Sequence, residues 1–202
     1  MAEVNAQLQR RAVVRDMLAN RQGLTVISGL GSPTYDVAAV ADHDRNFYLW
    51  GAMGGAVALG LGLALARPDL DVLVVTGDGE MLMGMGSLAT VGVKAPANLA
   101  ILVLDNGRYG ETGMQQSHTS TACDLCAIAR ACGIKDSWQV STAAELLRIR
   151  DDFQRIGSVR FLQVKVADDQ PGRVMPTRDA VANKLRFRRA VDAESAPSNA
   201  KT

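Results

Sequence analysis

Two short stretches hold the residues best suited to chemistry, "VVTGDGEMLMG" at 74–84 and "LDNGRYGETGMQ" at 104–115. Each starts as an apolar run and breaks into a polar, glycine-bearing turn: Gly77-Asp78-Gly79 in the first, Asp105-Asn106-Gly107 in the second. If the two runs are adjacent strands, Asp78 and Asn106 come together. A carboxylate, a side-chain amide oxygen and nearby backbone carbonyls make a hard-oxygen site suited to Mg2+ that carries a phosphate ligand. The glycines leave backbone N–H groups open to phosphate oxygens. One Gly-Asp-Gly alone is equally compatible with an ordinary turn. The pair at this spacing is the stronger signal.

The elements that must position these turns can be read from periodicity. "DVLVVT" (71–76) and "NLAILVLD" (98–105) are near-continuous apolar strands of the kind buried on both faces. "LTVISGL" (24–30), "NFYLW", "SWQV" and "RFLQVKV" (160–166) read as further strands. Helices are expected over 3–20, through "GAMGGAVALGLGLALARP", through "MLMGMGSLATVGVK", over 121–132 and over 142–155. Strand and helix alternate, which predicts an α/β fold: an open, mostly parallel sheet flanked by helices. In such sheets ligands sit beyond the carboxyl ends of the strands, where both polar turns would lie. The domain is expected over 1–170. A polar C-terminal extension follows over 171–202, its last dozen residues read as a disordered tail.

The two turns in register resemble the signature of thiamine diphosphate enzymes, a GDG followed some two dozen residues later by D-N or N-N. From about 24 to 166 the chain is similar to the diphosphate-binding domain of 2-oxo acid decarboxylases, most like sulfopyruvate decarboxylase beta subunits and the matching part of phosphonopyruvate decarboxylase. That resemblance implies thiamine diphosphate and Mg2+ as cofactors. It implies Asp78 and Asn106 as side-chain metal ligands, with the Arg108 carbonyl as a third. It implies that backbone amides of Gly79 and Glu80, and less directly Ser28 and Gly29, face the diphosphate, with Gly77, Tyr109 and Gly110 completing the cofactor site. Met53, 25 positions before Asp78, falls where the family places an apolar buttress under the bent cofactor. Packing within a helix is the alternative reading of that methionine. The Gly51 carbonyl would accept from the aminopyrimidine.

The family also needs a Glu beside the aminopyrimidine, carried on a separate pyrimidine-binding domain. Of Glu3, Glu80, Glu111, Glu145 and Glu194, none fits by position, and the length leaves no room for another domain of roughly 150 residues. The expectation is a hetero-oligomer in which a pyrimidine-binding alpha subunit supplies that Glu. The implied substrate is a small 2-oxo acid such as sulfopyruvate or phosphonopyruvate, whose second anion calls for a cation. Arg108, His118 and Arg45 are the candidates, and each could equally be a solvated surface residue. His118 is also a candidate proton donor. A second reading is the beta subunit of a 2-oxo acid:ferredoxin oxidoreductase, on the likeness of "YGETGMQQSHT". An iron–sulfur cluster, however, wants four thiolates. A third is a dinucleotide-binding module, in which "ISGLGSPT" misplaces the third small residue of the fingerprint.

Bulk properties bound the rest. With 202 residues, 48% hydrophobic, and a formal charge of +1, the chain can build one sizeable core and offers no electrostatic case for nucleic acid or membrane. Its apolar runs fall short of the roughly 20 residues of a bilayer span. The polar start does not follow signal-peptide order, so a cytoplasmic setting is expected. Cys123, Cys126 and Cys132 could mean metal or redox chemistry. With only two His in the chain, they read as small apolar groups on a helix closed by Gly133.

Overall fold

The computed structural model describes residues 7–193. Along the chain come α1 (Arg10–Leu18), β1 (Thr25–Ser28), α2 (Ser32–Ala41), β2 (Asn46–Tyr48), α3 (Ala56–Ala66), β3 (Val72–Gly77), α4 (Asp78–Met83), α5 (Ser87–Lys94) and β4 (Leu99–Asp105). A small hairpin, β5 (Arg108–Tyr109) and β6 (Gln115–Gln116), follows, then a 3-10 turn at His118–Ser120 and α6 (Leu125–Ala131). The chain continues with β7 (Asp136–Val140), α7 (Ala143–Gln154), β8 (Arg160–Lys165) and α8 (Ala180–Asp192).

Six strands form one parallel sheet in the order β2-β1-β3-β4-β8-β7. Every residue of β4 is buried, and its side chains alternate between two cores, as strand geometry requires. Leu99, Ile101 and Val103 pack with α3, α5 and α6, while Ala100, Leu102 and Leu104 pack with α1, α2 and α7. This two-sided burial is what the unbroken apolar runs encode. From β1 the chain steps outward to β2, then crosses back to place β3 on the other side of β1. That reversal opens a crevice at the carboxyl ends of β1 and β3.

Several elements differ from the sequence reading. The helix expected from "GAMGG" begins only at Ala56, because Gly51 and Gly54 take left-handed backbone (φ +72 and +88). Residues 51–55 are therefore a loop, and Met53 lies on it. The helix expected over "MLMGMGSLATVGVK" is broken into α4 and α5 at Gly84–Gly86. The polar extension carries α8, whose start is capped by Asp179 accepting from the Val181 and Ala182 amides. Its Phe187 ring packs edge-on to Phe47 (5.3 Å between centroids), and Asn183 donates to the Tyr48 carbonyl at 3.0 Å. Only Asn183 and Val191 of α8 are buried, too sparse a face to show in a basic sequence. The N-terminal helix is shorter than expected, starting at Arg10, and the expected tail lies mostly at 194–202, outside the described residues. Among the described residues no helix is long and apolar enough to cross a membrane.

Candidate cofactor site

A cleft opens at the carboxyl ends of β1, β3 and β4, lined among others by Leu30, Ser32, Met53, Gly77, Asp78, Gly79, Glu80, Leu104, Asn106, Arg108, Tyr109 and Gly110. Adjacent parallel pairing of Gly77 with Leu104 brings the ends of β3 and β4 level, so Asp78 and Asn106 face one space.

Asp78 is the first residue of α4, with no loop between it and the last residue of β3. It is 1% exposed. Its Oδ2 accepts from the Ser117 hydroxyl and lies 3.0 Å from the Thr119 hydroxyl. Thr119 Oγ1 is also 2.8 Å from Asp105 Oδ1; having one proton, it serves one carboxylate at a time. Asp105, fully buried, accepts from the Gly107 amide (2.9 Å), Gln163 Nε2 (2.6 Å) and Lys165 Nζ (2.6 Å). One carboxylate at the cleft is thus backed by a second that a lysine neutralises. Burial, and after it the Asp105 charge, push the Asp78 carboxyl above the usual range, while Ser117 and Thr119 pull it down. A cation in the cleft would favour the ionised form.

Asn106 Oδ1 accepts from the Arg108 amide at 3.1 Å, an Asx turn that starts the β5–β6 hairpin. The side-chain oxygens of Asp78 and Asn106 with the backbone carbonyl of Arg108 are a donor set suited to Mg2+. Among the described residues no three His, Cys, Asp or Glu side chains could hold a metal. A cation here therefore needs oxygens from outside the chain, as a diphosphate provides.

Gly79 sits under the Tyr109 ring, where a Cβ would come within 2.6 Å of the ring carbons. Its missing side chain is thus required by Tyr109 as well as by any phosphate. Ser28 turns inward, its hydroxyl 2.7 Å from Thr34 Oγ1, and Gly29 packs against the Glu80 carboxylate. Neither lines the cleft; Leu30 and Ser32 do. Gly51 is exposed at the loop's start and is not a lining residue, whereas Met53 is. His118 is exposed on the 3-10 turn and reaches only the Tyr109 hydroxyl, at 3.4 Å.

Arg108 lines the cleft, with Asp168 3.9 Å away. Arg45 is corrected: it precedes β2 at the amino ends of the strands and donates to the Gly23 carbonyl at 2.6 Å, opposite the cleft. Cys126 is buried in the core, and burial pushes its thiol and that of Cys123 upward.

Four residues of the Asp78 network escaped the sequence reading: Ser117, Thr119, Gln163 and Lys165. Two flank His118 in "QQSHTST". The other two are polar residues at alternate positions of β8 after its apolar Phe161-Leu162 pair, which was a readable sign of a polar partner on one face of that strand.

Residues 29–164 match the family described as thiamine pyrophosphate enzyme, C-terminal TPP binding domain. The chain belongs to the thiamine pyrophosphate enzymes. It is 34% identical to the sulfopyruvate decarboxylase subunit beta of Methanococcus maripaludis, over 90% of this chain and 96% of that subunit. It is 44% identical to the subunit of the same name from Methanocaldococcus jannaschii, over 54% of this chain and 57% of that one. Phosphonopyruvate decarboxylase of Streptomyces viridochromogenes is 46% identical over 64% of this chain, but the match spans only 32% of that longer enzyme. In fold, the chain is similar to benzoylformate decarboxylase from Polynucleobacter necessarius (TM-score 0.64, 16% identity, 80% of this chain and 33% of that one). Among thiamine pyrophosphate enzymes the chain stands with the decarboxylases, and thiamine diphosphate is its cofactor class.

The loop bearing Met53 is held close to α4. A Cβ on Gly84 would land on the Gly54 carbonyl. Gly84→Ala is therefore expected to push the 51–55 loop outward and weaken thiamine diphosphate binding about tenfold, with a stability loss of roughly 1–3 kcal/mol from overpacking. Calorimetric titration and thermal melting read the two separately, and unchanged affinity would mean that the loop does not serve the cofactor.

Proposed function

We propose that this chain is the beta subunit of a thiamine diphosphate- and Mg2+-dependent 2-oxo acid decarboxylase, working with a pyrimidine-binding partner chain. The observation that carries the reading is the convergence of Asp78 and Asn106 on one cleft at the ends of β3 and β4, inside the segment that matches the family. Asp78, Asn106 and the Arg108 carbonyl would hold Mg2+. The Gly79 and Glu80 amides, at the start of α4, would face the diphosphate, and Met53 would support the cofactor from its loop. Residues 1–170 would form the cofactor domain, with 171–202 an extension whose helix α8 packs back upon it. When bound, thiamine diphosphate supplies the nucleophilic carbon and the electron sink that let a 2-oxo acid lose CO2.

The partner is inferred from what the described glutamates do. Glu145 closes a capping box with Thr142 at the start of α7. Glu80 is walled in beneath the loops. Glu111 stands at the cleft with Arg173 3.8 Å away. Glu80 and Glu145 are committed within the fold and Glu111 is paired with Arg173, and the named relatives include beta subunits. For the substrate we favour an acid with a second anion, sulfopyruvate or phosphonopyruvate, met by the Arg108 guanidinium. The oxidoreductase reading is weakened by Cys126, which sits in the core and cannot reach a cluster.

Co-expression with the partner subunit and assay of CO2 release from both acids tests the proposal. Release from either, with KM raised in Arg108→Ala, supports it; a complex that binds the cofactor and decarboxylates neither acid overturns the substrate assignment. A pH dependence follows as well. Mg2+ needs ionised Asp78, whose carboxyl is raised by burial, so cofactor affinity should fall as pH drops through that raised value. The fall should begin above the ordinary aspartate pKa of about 3.9. Titration calorimetry at successively lower pH should show it.

A further inference from the structure

We infer that Arg10 is an anion-binding residue of the cleft: its guanidinium, held from behind by Asp36, meets the diphosphate of the cofactor directly. The inference rests on the thiamine diphosphate reading and adds to it a cation that lies far from the two polar turns in sequence. Arg10 opens α1, is 5% exposed, and lines the cleft together with Asp78, Asn106 and Gly110. Its Nε donates to Asp36 of α2, which is wholly buried, and its Nη1 reaches the Asp169 carbonyl at 3.4 Å. Nη2 makes no hydrogen bond among the described residues, yet it is not sealed from solvent. It therefore opens into the space that Arg10 lines. A guanidinium fixed on one edge and open on the other is suited to an oxyanion.

Two further observations call for an anion at this point. Asp36 is shared: Arg11 Nε donates to its other oxygen at 3.0 Å, so one carboxylate serves two guanidiniums. The other acids nearby do not make up the difference. Glu111 faces Arg173 at 3.8 Å and Asp168 faces Arg108 at 3.9 Å, while the Asp169 carboxylate lines the adjoining cavity without pairing with Arg10. Burying a charge without a full partner is costly, and a ligand anion removes that cost. The second observation is the direction of α2. Ser32, its first residue, lines the cleft, and the helix has no side-chain cap. Uncapped N–H groups and the helix dipole favour an anion at the same place.

Position selects which anion it is. Arg10, Ser32, Asn106 and Gly110 line both the cleft and a smaller cavity beside it, whereas Met53 lines the cleft alone. Arg10 thus stands at the Asn106 end, beside a proposed metal ligand. At that end the group to be met is the diphosphate.

The test uses the full chain with Mg2+-pyrophosphate and Mg2+-thiamine diphosphate as probes, the first because it asks nothing of a partner subunit. In Arg10→Met the pyrophosphate Kd, read by titration calorimetry, should rise about 10- to 100-fold, the worth of one or two charge-assisted hydrogen bonds. The thiamine diphosphate Kd should rise by the same factor. Arg11→Met is the control: it breaks the other half of the same ion pair, and Arg11 lines neither cavity, so both Kd values should stay at the parent's. Equal losses in the two variants overturn the inference, since Arg10 then acts only through Asp36. An unchanged Kd in Arg10→Met also overturns it, and a raised KM for the acid in that variant would hand the cation to the substrate instead. If Arg10→Met does not fold, Arg10→Gln, which can still donate to Asp36, is judged by the same criterion. A parent chain that binds neither probe overturns the cofactor reading and this inference with it, whereas an indifferent Arg10→Met beside a binding parent removes Arg10 alone.

Discussion

Asp78→Asn abolishes Mg2+-dependent thiamine diphosphate binding, a loss of at least about 100-fold, while the free chain melts no earlier than the parent. The first half follows from the proposed ligand role. Removing a buried charge that meets an opposite charge costs about 3 kcal/mol or more, and each 1.4 kcal/mol is about a factor of ten. The second half follows from the surroundings of Asp78. Its carboxyl is raised in the folded chain by burial and then by the Asp105 charge. A group raised on folding contributes stability below its unfolded pKa and loses it as pH rises through the folded one. At neutral pH the ionised carboxylate is therefore a burden on the free fold. An asparagine removes the charge and still accepts from Ser117. Calorimetry with and without Mg2+, paired with melting of the free chain, separates the two. Parent-like affinity would sink the metal assignment, and an early melt would show Asp78 to be a structural anion.

Asp105→Ala should do the reverse, costing about 3–5 kcal/mol of stability, because it breaks a buried ion pair and leaves its partners stranded. Lys165 Nζ, Gln163 Nε2 and the Gly107 amide donate to this one side chain, and the Thr119 hydroxyl divides its single proton between it and Asp78. Water can reach Lys165, whose side chain is 29% exposed, but Gln163 is wholly buried. Denaturant unfolding measures the loss directly. A change below about 1 kcal/mol, the ordinary worth of one net hydrogen bond, would mean that the network stabilises nothing beyond itself. On this reading the two neighbouring aspartates divide the work: Asp78 costs the fold and would serve the proposed metal, while Asp105 holds the floor under it.

The sheet was legible because β3 and β4 carry unbroken apolar runs, and a strand buried on both faces has no other way to look. The two polar ends were legible for the same reason, since an Asp or Asn directly after such a run must sit at the strand's carboxyl end. What stayed hidden depends on contacts between distant segments. Nothing local in "GAMGG" says that Gly54 will meet Gly84, so the loop around Met53 read as helix. Ser117 and Thr119 drew less notice than His118, because a histidine advertises chemistry and a hydroxyl does not. Arg45 drew attention by charge alone, and its position before β2 puts it at the wrong end of the sheet. Helix α8 was missed because it buries one amide and one valine, too little for a periodic pattern.

One detail of the fold bears on how this protein can change. Asp78 follows Gly77 with no residue to spare, so the position of its carboxylate is inherited from the hydrogen-bond ladder of the sheet. One inserted residue would move it by about 3.3 Å, further than any coordination sphere tolerates. Past Arg108, whose carbonyl is the proposed third ligand, the hairpin residues 111–116 are mostly exposed, rise from the same cleft, and are under no such constraint. Relatives named for sulfopyruvate, phosphonopyruvate and benzoylformate share this architecture. If Asp78 holds the proposed Mg2+, novelty in the acid accepted has little room there and ample room at the hairpin's tip, so lineages can diverge in diet while the cofactor's berth stands still.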